Sequence, residues 1–124
     1  MEKRINILVG DIKVEAELND SKTALLIWEA LPIEAKINTW GEEVYFAIPV
    51  RTGLEQGARE VVSSGELGYW PTGHAFCIFF GPTPASRGDE IRAASAVNIL
   101  GKVLSDPKVF LKVKDGANIK LGKA

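Results

Sequence analysis

Apolar and polar residues alternate with a period of two through most of this chain. Ile12, Val14, Ala16 and Leu18 alternate with Lys13, Glu15 and Glu17, the pattern of a strand with one face buried and one in water. Arg4–Val9 reads as its partner strand, and Gly10-Asp11 between them is the Gly-X chemistry of a two-residue type II′ turn. The period then changes. Asn19-Asp20-Ser21 supplies capping oxygens, and Ala24, Ile27, Trp28 and Leu31 fall at helical spacing before Pro32. A helix over Thr23–Leu31 follows, its apolar face lying on the sheet and its end set by the proline.

Alternation resumes in Ile33–Thr39. A turn at Trp40-Gly41-Glu42 leads into Val44–Val50, where Val44, Phe46 and Ile48 share one face and Tyr45, Ala47 and Val50 lie mostly on the other. Both faces are apolar, so the strand is expected to be central or covered, with its regular pairing ended by Pro49. Arg51–Ser64 is the least regular stretch, with a short strand at Ala58–Val62. In Gly65–Pro84, Tyr69, Trp70, Phe76, Phe79 and Phe80 stand among four glycines and three prolines. This predicts a strand, a bend with aromatic walls, and a second strand buried on both faces. Ala85–Ser95 reads as a polar surface loop, Val97–Leu104 as a strand with a bulge or close approach at Gly101. Asp106-Pro107 starts a second short helix over Lys108–Val113, and Asp115-Gly116 turns the chain into a last strand, Ala117–Leu121.

About eight strands, two short helices and no βαβ rhythm predict a mainly β fold. A closed antiparallel barrel fits best, because closure removes strand edges. At 124 residues the chain is expected to form a single domain over 1–124. A net charge of −1 speaks against nucleic acid, whose phosphates call for a basic stripe. No window approaches a membrane-spanning helix, and the apolar run near Ile5–Val9 is too short for a signal-peptide core. A cytoplasmic protein without membrane or nucleic-acid partners is the expectation.

Candidate chemistry is sparse. The one histidine and one cysteine assemble neither a usual zinc site nor an internal disulfide, so no metal and no cofactor is expected. His74 and Cys77, three apart in a strand, point to opposite faces and make no dyad; Cys77 reads as a small core residue. The acid pairs Glu42-Glu43 and Asp89-Glu90 read as solvated turn charges. Trp70-Pro71 admits two readings: a plug packed on the sheet, or, with His74, one lip of a groove floored by Phe46, Ile48 and Phe79. Arg51 and Arg87 would stand at the rim of such a groove, where either could pair a carboxylate or phosphate. Aromatics on glycine-rich bends bring large contact area at small entropic cost.

The order of these elements resembles the cyclophilin fold. SKTALLIWEAL is similar to the helix that begins Pro-Lys-Thr-Ala in cyclophilins, VYFAIP stands where their Ile-Ile-Pro strand does, and Gly101-Lys102-Val103 matches their late Gly-Lys-Val. GELGYWPTG followed by an aromatic strand is closer to small atypical bacterial and archaeal cyclophilin-like proteins of uncharacterised function. The resemblance implies peptidyl-prolyl isomerisation, in which an arginine donates to the twisting amide. Its position falls on Phe46 here, and the family's late tryptophan and histidine fall on Arg92 and Val97. Loss of one preorganised donor costs about 10²–10³ in rate. The expected function is thus a module binding a small molecule or a proline-containing peptide, with a divergent prolyl isomerase as the alternative.

Overall fold

The computed structural model describes residues 3–124; Met1 and Glu2, the start of the expected 1–124 domain, lie outside the described residues. The strands among them are β1 (Lys3–Val9), β2 (Ile12–Leu18), β3 (Ile33–Lys36), β4 (Asn38–Thr39), β5 (Glu43–Ala47), β6 (Arg59–Val62), β7 (Glu66–Trp70), β8 (Ala75–Phe79), β9 (Ile91–Val103) and β10 (Asn118–Lys123). Helix α1 covers Lys22–Ala30, and 3-10 segments cover Pro71–Gly73 and Pro107–Lys112. The second expected helix is therefore of the tighter kind, though Asp106 caps it as its sequence suggests, accepting from the Lys108 N–H at 3.0 Å.

Every ladder is antiparallel, and one path runs β3-β10-β1-β2-β9-β7-β8-β5-β4, with β6 paired to β9 off that path. The expected barrel is not closed by hydrogen bonds. Its two end strands, β3 and β4, come from the single run Ile33–Thr39, which changes partner at Ile37. Up to Lys36 the chain pairs with β10, and from Asn38 it pairs with β5. Ile37 turns into the core at 1% exposure, bonding Ala117 and Gly116 instead. The covalent chain, not a ladder, spans the seam.

The β1–β2 hairpin has the expected form: Val9 faces Ile12 across a turn whose Gly10 has φ +57°. Ser21 caps α1 by accepting from the Ala24 N–H at 3.2 Å. Ala24 and Ile27 are fully buried, whereas Trp28 and Leu31 lie half-buried at the core margin. The irregular segment after β5 is tied down by the Tyr69 hydroxyl, which donates to the Val50 carbonyl at 2.6 Å, by the Thr23 N–H, which donates to the Glu55 carboxylate at 3.1 Å, and by one buried amide. Asn98 donates to Thr23 Oγ1 and to the Gly53 carbonyl, both at 3.0 Å, and accepts from the Glu55 N–H at 2.7 Å.

The expected loop over 85–95 is shorter than its composition suggests, because β9 begins at Ile91. Ile91 and Ala93 point into a core while Arg92 between them is held outside by Glu90 and Glu60, at 2.6 and 2.9 Å. Further along β9 the register against β7 slips, with Leu67 facing Gly101 and Gly68 facing Ile99. This is the anticipated bulge. Gly101 has φ +147°, and a Cβ there would run into the Glu17 carbonyl of β2.

Two cores result, one on each face of the β5-β8-β7 region. The inner one gathers Ile5, Ile7, Val44, Phe46, Phe76 and Leu121 among others, and Phe110 of the second 3-10 segment enters it against Phe80 at 5.9 Å. The outer one is smaller: Val62, Ala75, Cys77, Phe79, Ile91, Ala93 and Val97, flanked by Tyr45, Trp70 and Ile99.

Candidate functional site

Strand β5 buries Val44 and Phe46 on one face and Glu43 on the other, where Tyr45 is half-buried and Ala47 exposed, so its alternation divides its side chains between the two cores. Val44 and Phe46 go inward. Glu43 and Tyr45 go outward, onto the same face as Cys77, which lies directly across from Tyr45. On the far side of β8, Cys77 faces Gly68 of β7. A Cβ at Gly68 would stand 3.0 Å from Val97 and 3.2 Å from Phe79, so the missing side chain is what lets those two meet. With glycine or alanine at 68, 75, 93 and 94, this face lacks the bulk to fill itself.

A cavity of about 220 Å³ opens there. Trp40, Tyr45 and Trp70 supply its rings; Glu43 and Cys77 supply its polar atoms; Ala93, Ala94 and Val97 of β9 complete it. Trp40 is placed by a tight turn in which its N–H donates to the Glu43 carbonyl at 2.9 Å. Gly41 permits that turn: it has φ +59°, and a Cβ would lie 2.8 Å from the Thr83 backbone. Trp70 folds back over the bend that follows it, where a Cβ on Gly73 would be 2.8 Å from its ring. Its indole N–H donates to Ser95 Oγ at 2.6 Å, and its ring meets Tyr45 edge-on at 6.4 Å between centroids. These contacts fix the wall before any guest arrives.

Glu43 is the surprise. Its residue is 5% exposed, where a solvated turn acid was expected. Burial pushes its pKa from 4.5 up to about 7, against a hydrogen bond from Cys77 that acts the other way. Cys77, itself buried, is held well above its ordinary range by burial and by Glu43, so the thiol stays protonated. Neighbouring Glu42 behaves as the sequence suggests, pairing with Lys108 at 2.9 Å near the surface. Among the described residues, no group of three His, Cys, Asp or Glu side chains could hold a metal ion.

The residues proposed from sequence are dispersed by this geometry. Phe46 and Ile48 belong to the inner core, where Phe46 stacks on Phe76 at 5.3 Å. Phe79 lies fully buried in the outer core with Trp70. A single groove floored by Phe46, Ile48 and Phe79 is therefore not formed, because successive residues of a strand face opposite ways. Pro71 is the first residue of the 3-10 bend, and His74 takes the left-handed conformation at φ 49° to end it. Arg51 and Arg87 are exposed and line no part of the cavity. Of the eight, Trp70 alone is in its wall.

A model of the cyclophilin-like family matches residues 3–122. The chain belongs to the cyclophilin-like family. It is similar over 99% of its length to a hypothetical protein, AF2241, from Archaeoglobus fulgidus, at 36% identity, a TM-score of 0.83 and 95% coverage of that chain. The structure of McbB in complex with tryptophan resembles it in fold, with a TM-score of 0.70 at 15% identity; the match covers 95% of this chain and 44% of McbB. A comparison with functionally curated proteins gives no match. Within the cyclophilin-like frame, the position read as that of the isomerase arginine is Phe46, at 0% exposure. Arg92, which falls where the family's tryptophan was aligned, is bound to Glu90 and Glu60. Val97, aligned with the histidine, lines the cavity.

Glu43 and the β9 alanines escaped the sequence reading for separable reasons. The alternation that put Tyr45 on the outer face also puts Glu43 there two residues earlier, a signal overridden by the turn next to it. Ala93 and Ala94 were hidden inside a stretch whose arginines and acids made it look like a loop.

Proposed function

We propose that this protein is a binding module for a small molecule, held in the cavity between Trp40, Tyr45 and Trp70. The observation that carries the reading is that walled space of about 220 Å³. An apolar cavity of roughly 150 Å³ is enough to admit benzene, and drug-sized ligands occupy roughly 300–1,000 Å³. The guest is thus a compound of one or two rings, or the tip of one side chain of a peptide. Trp70 and Tyr45, already held by the Ser95 hydrogen bond and by their edge-on contact, lose little entropy on contact with it.

Prolyl isomerisation fits these residues less well. The reaction needs a donor beside the twisting amide, and Phe46 in the inner core offers none, while Arg51 and Arg87 stand away from the cavity. A peptide assay over varied X-Pro substrates is expected to run at the rate of buffer.

A thermal-shift screen of amines, amino acids, aromatic acids and X-Pro peptides tests the binding reading. Tryptophan is a natural first compound, given its presence in the similarly folded McbB. Raised melting temperatures are expected for wild type and are to be lost in Trp70→Ala. Ala94→Trp, which fills the exposed mouth without removing a wall, should abolish them as well. A broad screen giving no shift in the wild-type protein would remove the support for this function.

A further inference from the structure

Taking the cavity as a binding site, as above, we infer that its ligand class is the organic ammonium ion: a small amine whose cationic nitrogen sits against Glu43 and among the rings of Trp40, Tyr45 and Trp70. The faces of these rings carry negative quadrupole potential, and a cation within about 6 Å of such a face is attracted to it. Glu43 contributes the full opposite charge. Among the described residues no lysine, arginine or histidine lines the cavity or forms an ion pair with Glu43. The nearby Lys108 is engaged by Glu42 at 2.9 Å. A buried carboxyl without a cation of its own is costly as the anion, and a guest ammonium supplies what the fold withholds.

Other ligand classes meet the same wall less well. An anion would face the Glu43 carboxylate with no donor of positive charge beside it. A metal ion would find a carboxyl and a protonated thiol and, among the described residues, no third ligand of the usual kind. A neutral aromatic would fill the rings and leave Glu43 unanswered.

Proton linkage sharpens the inference. The groups facing Glu43 are the Cys77 thiol on β8, the Tyr45 phenol on its own strand, Trp40 and Trp70, and the apolar residues of β9. Cys77 remains a neutral thiol, so Glu43 is the group whose charge changes near neutrality, at about pH 7 in the free protein. The ammonium selects the ionised form. Its affinity should therefore rise about tenfold per pH unit up to about 7 and level off above it.

Calorimetry with three indoles that differ in charge tests this: tryptamine (cation), tryptophol (neutral) and indole-3-acetate (anion). At pH 8 tryptamine should bind at least about tenfold more tightly than tryptophol, the order expected of a charge-paired ammonium, and indole-3-acetate most weakly. Lowering the pH to 5.5 should remove most of the tryptamine advantage, a readout that needs no variant. Glu43→Gln should remove most of the tryptamine advantage and its pH dependence, leaving only the part owed to the rings, while Trp70→Ala should weaken both. Equal binding of the three, a preference for tryptophol, or a flat pH profile overturns the ammonium assignment and leaves the binding function standing. If none of the three binds but the broader screen yields a neutral or anionic ligand, the assignment also falls alone. If neither experiment finds a ligand, both fall together.

Discussion

The two faces of β5 and β8 are made by the same ten residues and have opposite characters. Inward, Val44, Phe46, Phe76 and Ile78 are at most 1% exposed, and the two phenylalanines stack at 5.3 Å. Outward, Glu43, Tyr45 and Cys77 border open space, and the bare Gly68 lets Val97 and Phe79 meet beside it. The inner face is apolar throughout and closes on itself. The outer face combines rings, an acid and small residues, and leaves room. One strand can thus turn its even positions into a sealed core and its odd ones toward open space.

The largest way to test that contrast is Phe46→Ala. Removing a stacked, fully buried ring should cost about 3–5 kcal/mol, read by urea denaturation, without altering ligand affinity in the molecules that remain folded. A loss below about 1 kcal/mol would mean that the inner face is not the stabilising one. On the outer face the expected effect depends on pH. An unfolded glutamate loses its proton near 4.5, whereas Glu43 in the folded protein holds its proton until about 7. Between these values the native state binds more protons, so stability declines as pH rises through this window and is level above it. Glu43→Gln should flatten that decline, gaining up to about 3 kcal/mol at pH 8 and close to nothing at pH 4. A gain of equal size at both pH values would sever it from the ionisation of Glu43. Smallest is Gly68→Ala, expected to cost about 1 kcal/mol as Val97 and Phe79 yield to the new methyl; a stabilised variant would show that the outer core packs more loosely than its contacts suggest.

How much of this could be read in advance followed from where the signal was local. The β1–β2 hairpin, the Ser21 cap, the doubly buried β8 and the Gly101 bulge each depend on neighbouring residues, and the chain announces them. So does the cyclophilin-like order of elements. The cavity depends instead on which residues of four separated segments meet, and alternation within one strand cannot say which face will be crowded. Phe46 and Trp70 are both aromatic and both near bends, yet strand parity sends them to different cores. Arg92 concealed the start of β9 while Val97–Leu104 was legible, because a charged residue in a strand looks like a loop residue until its two glutamates are seen. Glu43 was misread for the complementary reason: an acid beside a turn is ordinarily in water, and here the Trp40 turn folds over it.

The change of partner at Ile37 has a consequence for how the molecule breathes. Where the ladder stops, the two margins of the sheet are joined by backbone alone, and each is a strand of four residues or fewer. So short a margin, carrying Glu34 and Lys36 on its outer side, gives an incoming strand little to template on. The same seam is the place where the wall can part without first undoing an inter-strand ladder, so amide deuteration should enter along Ile33–Thr39 before it reaches β1, β7 or β8.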